Sequence, residues 1–358
     1  MNNIAFIAFL IGGIIVSLIV NKLLLSFSHS LGIRNKNDVV IRWSNESKPS
    51  LGGISMYVTF IFSIMFFAMV FSDEDLFDSM EFVGLLLAGS LAFAVGLADD
   101  AYDTKPILKL LGQIACGVIM VLTGTVIDVF HNYTLDTILT VLWVITIMNS
   151  LNMLDNMDGI TATVSFFILI ACMSSYFLAS GLNIDFWILL LIAQLGALIG
   201  FLRYNIHPSK MFMGDAGSQF LGLFVAFFAI KGLWNTSSMI EVPAWSGFLV
   251  VLAAFTPAAA DTLTVVINRA KKGQSPMVGG KDHTTHHLVY KGLNDFQVWK
   301  VFLFLSVLSF LIAVGLIVAM QNNLYILALL GVVFFGIVFA ILYRNTMKYK
   351  PKDSPKDS

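Results

Sequence analysis

"IAFIAFLIGGIIVSLIVNKLLL", residues 4–25, decides the fold class before any other part of the chain is read. Apart from glycine, one serine and the Asn21–Lys22 pair near its end, every position is apolar. A helix needs about 20 such residues to cross the hydrocarbon core of a bilayer. The run is too long for the apolar segment of a secretory signal and has no basic residues ahead of it, so it is expected to stay in place as a span. Working outward, similar runs recur at about 51–71, 81–98, 107–127, 135–152, 160–180, 184–202, 216–234, 244–267, 300–320 and 323–343. The chain therefore reads as an all-α polytopic integral membrane protein with about 10–11 transmembrane helices. Composition agrees: 58% of the 358 residues are hydrophobic, mean hydropathy is +0.85, and 12% are charged, against roughly 25% in soluble proteins.

The basic residues set the orientation. With the N-terminus outside, Lys22, Arg34, Lys36, Arg42, Lys48, Lys105, Lys109, Arg203, Lys210, the loop Arg269–Lys300 and the end from Arg344 onward all fall inside. Only Lys231, one of 21 Lys and Arg, falls outside, so the positive-inside rule predicts N-out, C-in topology. The acidic loop "SDEDLFDSME", residues 72–81, lies on the opposite side. Residues 1–345 form one transmembrane domain, and 346–358, ending "PKDSPKDS", read as a disordered cytoplasmic tail. A net charge of −1 gives no reason to expect nucleic acid as a partner. Cys116 and Cys172 sit inside apolar runs without CxxC spacing and read as packing residues.

Three acidic clusters land on the cytoplasmic side under this topology, where the cost of ionisable groups at membrane depth marks them for function. In "GLADDAYDTK" Asp99, Asp100 and Asp103 are spaced to share adjoining helix faces if the helix continues. Mg²⁺, or a lysine such as Lys48 or Lys105, would keep them ionised. In "NSLNMLDNMDG" Asn149, Asn152, Asp155 or Asn156, and Asp158 recur every three to four residues. That stripe serves either a ligand with mixed hydrogen-bonding groups or an interhelical seam. In "MFMGDAGSQFLG" Asp215 lies between Gly214 and Gly217, ahead of an apolar helix. Backbone N–H groups there suit an anion and the aspartate a metal; a plain turn with Ser218 as N-cap is the other reading.

The loop from Arg269 to Lys300 carries "GGKDHTTHHL", with His283, His286 and His287. Its histidines suit contacts to phosphate better than zinc, because the acids elsewhere offer oxygen and no cysteine is near. Oxygen ligands, basic residues, a Gly-rich turn and imidazoles at one membrane surface fit phosphoryl transfer between a water-soluble and a lipid substrate.

Five ordered blocks carry a family resemblance: "KPSLGG" (48–53), "DDAYD" (99–103), "NSLNMLDNMDG" (149–159), "NIHPSKMFMGDAGS" (205–218) and "DHTTHHL" (282–288). "PAAADTLTVVINRAKKGQSP" (257–276) also looks like the approach to the last of these in that family. The chain resembles the polyprenyl-phosphate N-acetylhexosamine-1-phosphate transferases, glycosyltransferase family 4. The resemblance implies an enzyme of the cell inner (cytoplasmic) membrane that moves a sugar 1-phosphate from a UDP-N-acetylhexosamine to undecaprenyl phosphate, releasing UMP, with Mg²⁺ or Mn²⁺ and with a homodimer as an expected assembly. It also implies that Asp215 is a metal ligand, with Asp99 and Asp100 near the metal and the lipid phosphate. Asn205 and Asp158 would orient the donor, Phe212 stack on uracil and Lys48 hold phosphate, with the histidine block facing pyrophosphate or sugar. Asp103 and the split of the histidines by Thr284 and Thr285 depart from the peptidoglycan branch, and Asn156 stands where many members of the family have Gly. They point to the GlcNAc-type branch serving O-antigen, teichoic-acid or capsular glycan. A phospho-MurNAc-pentapeptide transferase is the alternative, followed by an intramembrane prenyltransferase and a transporter.

Overall fold

The computed structural model describes residues 3–28, 48–71, 76–181, 183–240, 242–275 and 280–350. Residues 72–75 of the acidic loop, Arg34, Lys36 and Arg42 of the basic set, and the tail from 351 lie outside the described residues. Every regular element among those described is helical: α1 (Asn3–Ser28), α2 (Gly52–Val70), α3 (Met80–Tyr102), α4 (Pro106–Leu122), α5 (Tyr133–Leu154), α6 (Ile160–Ser180), α7 (Phe186–Asn205) and α8 (Gly214–Ala229) come first. A π-helical turn (Ile230–Trp234) then leads to the single-turn α9 (Thr236–Met239), α10 (Ser246–Ala254), α11 (Thr256–Lys271), α12 (Thr284–Tyr290), α13 (Asp295–Gln321) and α14 (Leu329–Lys348).

Among the described residues nine helices are long and apolar enough to cross a membrane. The pair α10–α11 adds a tenth in two pieces bent by 81°, and α4 is a shorter apolar helix. The protein is a multi-pass membrane protein. The expected run 244–267 is thus not one straight helix, because Pro257 at the start of α11 cannot donate back into α10. The run 107–127 is helical only from Pro106 to Leu122 and gives way to a turn at Gly124.

α8 with the π-helical turn that follows it (Gly214–Trp234) is the axis of the bundle, with 94% of its most apolar stretch buried against 22% for α1. It packs on α2, α3, α5 and α6. Its phenylalanines interlock with α2: Phe220 lies 5.3 Å and Phe224 6.1 Å from Phe60, centroid to centroid. Lipid tails are as apolar as such side chains, so helix association here depends on close packing and interhelical hydrogen bonds. At the α3–α8 crossing Gly96 has no side chain, and a Cβ there would stand 2.2 Å from the Asp215 carbonyl oxygen. Only glycine allows that approach, and it brings the end of α3 onto the start of α8. Most of the predicted polar residues collect at that end of the bundle.

Candidate active site

Three short polar groups make up the site. In the first, Lys109, on the opening turn of α4, donates to Asp99 Oδ2 at 3.1 Å, Asp215 Oδ2 at 2.8 Å and Asn152 Oδ1 at 3.2 Å. Asn152 Nδ2 donates to Asp215 Oδ1 at 2.7 Å and Ser218 Oγ at 2.8 Å. Asp99 also accepts from Thr104, from its backbone N–H at 2.9 Å and its hydroxyl at 2.5 Å. Four helices, α3, α4, α5 and α8, therefore meet on one ammonium group flanked by two carboxylates. One layer deeper, Gln113 exchanges hydrogen bonds with Asn149 at 2.7 and 3.2 Å and donates to Gln219 at 2.9 Å.

Asp100 faces away from this ammonium. Its oxygens accept from the backbone N–H groups of Asp215 at 3.0 Å and Ala216 at 2.8 Å. A carboxylate at a helix start satisfies orphan donors and complements the dipole. The N–H groups expected to greet an anion are thus held by the chain's own Asp100. Gly214 makes the turn possible with φ of 76°, a value that costs glycine little. Asp103, expected beside Asp99 and Asp100, is outside the group: α3 ends at Tyr102, and Asp103 turns into the left-handed region with φ of 52° and is exposed.

The second group surrounds the turn between α5 and α6. α5 ends at Leu154, so the amide and carboxylate stripe divides there: Asn149 and Asn152 are helical, while Asp155 and Asp158 belong to the following turns. The Asp155 carboxyl is pushed up to about 8, by burial first and then by the negative charges of Asp215, Asp100 and Asp158. Asp158 accepts from Ser209 Oγ at 2.8 Å and N–H at 3.1 Å, and meets His207 Nδ1 at 3.2 Å. Asn205 accepts from the Gly159 N–H at 3.0 Å and donates to the Met211 carbonyl at 2.9 Å. Asp158 and Asn205 thus clamp the 205–213 segment. Against it Lys48 lies 3.4 Å from Ser209 Oγ and 5.7 Å from the Phe212 ring centroid.

The third group is the histidine block. His283 Nδ1 is 2.9 Å from Asp261 Oδ2 on α11, whose other oxygen accepts from Thr284 N–H at 2.8 Å and hydroxyl at 2.6 Å. Beside it Arg269 grips Asp282 through both carboxylate oxygens at 2.8 and 2.7 Å. Burial raises the Asp282 carboxyl, and this guanidinium outweighs it, leaving the group below its ordinary range. His286 is buried, and that burial, with the charge of His283, lowers its pKa to about 3. His287 Nδ1 bonds to the carbonyl of Tyr349, just beyond α14. Thr285 Oγ1 donates to Asn156 Oδ1 at 2.6 Å, joining the third group to the second.

Sequence reasoning named the first cluster's acids and missed its cation: the neutralising lysine is Lys109, and neither Lys48 nor Lys105 takes that place. The signal was Gln113, one turn further along the same apolar helix; a Lys and a Gln on one stripe of such a helix mark a face turned to protein. Ser209, Asp261 and Thr104 were also missed. No three His, Cys, Asp or Glu side chains among the described residues converge closely enough to hold a metal ion by themselves.

A polytopic helical membrane protein with an acid, amide and lysine cluster at one end of its bundle is the class that fold and site define. Residues 82–233, which include the first two groups apart from Lys48, match the sequence model of Glycosyl transferase family 4. Over this stretch the chain is similar to that family. It is similar to the decaprenyl-phosphate N-acetylglucosaminephosphotransferase of Mycolicibacterium smegmatis, 27% identical, covering 73% of this chain and 70% of that one. It is 23% identical to the probable undecaprenyl-phosphate N-acetylglucosaminyl 1-phosphate transferase of Bacillus subtilis, over 85% of this chain and 83% of that one. It is also 27% identical to the phospho-N-acetylmuramoyl-pentapeptide-transferase of Staphylococcus carnosus, over 86% of this chain and 97% of that one.

Proposed function

We propose that the protein transfers N-acetylglucosamine 1-phosphate from UDP-N-acetylglucosamine to undecaprenyl phosphate at the cytoplasmic face of the inner membrane, with its N-terminus outside and its C-terminus inside. The observation that carries the reading is Lys109 held between Asp99 and Asp215, a charged centre where four helices meet at one end of the bundle. The names of the two N-acetylglucosamine relatives support the substrate pair.

The carboxylates of Asp99 and Asp215 and the Oδ1 of Asn152 offer oxygen, which suits a hard divalent cation such as Mg²⁺ or Mn²⁺. When bound there, the ion supplies charge neutralisation on the donor's pyrophosphate. In the one-step form the lipid phosphate oxygen attacks the sugar-bearing phosphorus. The bond from that phosphorus to the bridging oxygen breaks, and UMP leaves with the electron pair. Lipid phosphate is largely ionised near neutral pH, so little base is needed. Lys109 neutralises charge building on the transferred group. Lys48 and Phe212 stand together for a phosphate and a flat base, and Asp261 orients His283 toward the donor.

The spaced histidine block favours this donor over the MurNAc-pentapeptide alternative. Thr285, which splits those histidines, bonds to Asn156, so the block and the turn after α5 form one unit. The test is purified protein in nanodiscs with undecaprenyl phosphate and UDP-N-acetylglucosamine labelled in the sugar. Label should pass to the lipid only with acceptor, divalent cation and Asp215 present. A phospho-sugar adduct on the enzyme, trapped without acceptor, would overturn the one-step form.

A further inference from the structure

Away from the polar groups, an open-sided cavity of about 590 Å³ lies between α1, α6, α7 and α13. Ile14 and Leu18 of α1, Phe166 and Phe167 of α6, and Leu303 of α13 wall it. α7 is otherwise an interior helix, with 78% of its window buried, yet Ile199 is 40% exposed and opens into this space. So apolar a cavity has no partners to offer ordered water.

One end is different. Trp299 Nε1 donates to Thr163 Oγ1 at 3.0 Å, and that hydroxyl donates to the Gly159 carbonyl at 2.7 Å, so both are satisfied internally. Arg203, in the last turn of α7, lines the same cavity, is exposed, and makes no ion pair among the described residues. A long apolar slot ending in one uncompensated guanidinium has the chemistry of a site for an anionic lipid.

We propose that this cavity binds one anionic diacyl phospholipid of the surrounding leaflet, one acyl chain in the slot and its phosphate on Arg203. The acceptor substrate is the less suitable occupant. Asp99, Lys109, Asn152 and Asp215 come from α3, α4, α5 and α8, and none of these helices lines the cavity. The bond from Gly159 to Asn205 and those from Ser209 to Asp158 tie the turn after α5 to the segment after α7. The bound lipid would press on Thr163, Ile206 and Trp299, against which Gly159 is mounted: a Cβ on Gly159 would lie 3.0 Å from the Trp299 ring and 3.5 Å from Ile206 Cα. The lipid thereby steadies the turn that carries Asp155 and Asp158.

The test is native mass spectrometry of the purified protein with phosphatidylglycerol, phosphatidylcholine of the same acyl chains, or undecaprenyl phosphate. The wild type should retain one phosphatidylglycerol in preference to phosphatidylcholine by about five-fold, the worth of one basic residue near a charged surface. Arg203→Gln, an exposed change that the fold tolerates, should erase the preference. Ile199→Trp should fill the slot and lower retention of both phospholipids while leaving acceptor binding intact. Equal retention of the two phospholipids by the wild type, or an undiminished preference in Arg203→Gln, would overturn the proposal. Displacement of phosphatidylglycerol by undecaprenyl phosphate would also overturn it, assigning the slot to the acceptor.

Discussion

Replacing Lys109 with Met removes the one cation between Asp99 and Asp215 while keeping most of the side-chain volume. Lys109 is 15% exposed, and its partners are 14% and 30% exposed. Breaking a buried pair by deleting one member costs about 3–5 kcal/mol, because the remaining charges are left uncompensated. Residual exposure places this site at the low end, about 3 kcal/mol. At roughly 2 °C per kcal/mol for a chain of this size, the melting midpoint in detergent falls by about 6 °C. Two facing carboxylates without a lysine are also a better cation site. A divalent ion at ten times its Kd would return about 1.4 kcal/mol. The variant should therefore gain more thermal stability from magnesium than the wild type does, and Lys109→Arg should resemble the wild type. Scanning fluorimetry with and without magnesium reads both effects. If Lys109→Met melts with the wild type and gains no more from magnesium, Lys109 is not the neutralising charge of this cluster.

Other consequences concern the turns and the histidine block. In the folded protein His286 titrates near 3 instead of 6.5. The unfolded chain therefore takes up a proton first, and stability is lost as pH falls from 6.5 toward about 3. His286→Gln should show a shallower loss across that window in pH-resolved melting curves; an unchanged slope would refute the buried neutral imidazole. Stopping the chain after Lys348 removes the Tyr349 carbonyl that His287 bonds to, and should lower kcat several-fold, whereas stopping after Lys350 should have no effect. Asn156→Ala and Thr285→Ala should be coupled by about 1 kcal/mol in kcat/KM for UDP-N-acetylglucosamine, the worth of one hydrogen bond. Additive losses would mean that their contact has no part in donor use.

The apolar runs were legible because spanning a bilayer demands about 20 apolar residues whatever the fold. The broken helix at Phe255–Thr256 was not, since hydropathy runs straight through it; Pro257 was the only local sign. The site's acids were legible because charge is costly at that depth. Their division of labour was not. Spacing grouped Asp103 with Asp99 and Asp100, but helical spacing holds only while the helix lasts, and α3 stops at Tyr102. Spacing also treated Asp99 and Asp100 alike. One faces Lys109, and the other caps a helix 115 residues further along the chain, a contact that only tertiary structure creates. Lys109 was read for topology alone. Its place beside Asp215 depends on α4 returning against α3 and α5.

The central claim is that this cluster moves a phosphorylated sugar and not the sugar alone. Purified protein, undecaprenyl phosphate and magnesium, supplied with UDP-N-acetylglucosamine labelled in its β-phosphorus, test it most directly. Label should enter the lipid product and unlabelled UMP should be released, and Asp215→Asn, still folded in detergent, should do neither. Label recovered as free UDP, or transfer that persists in Asp215→Asn, would contradict it.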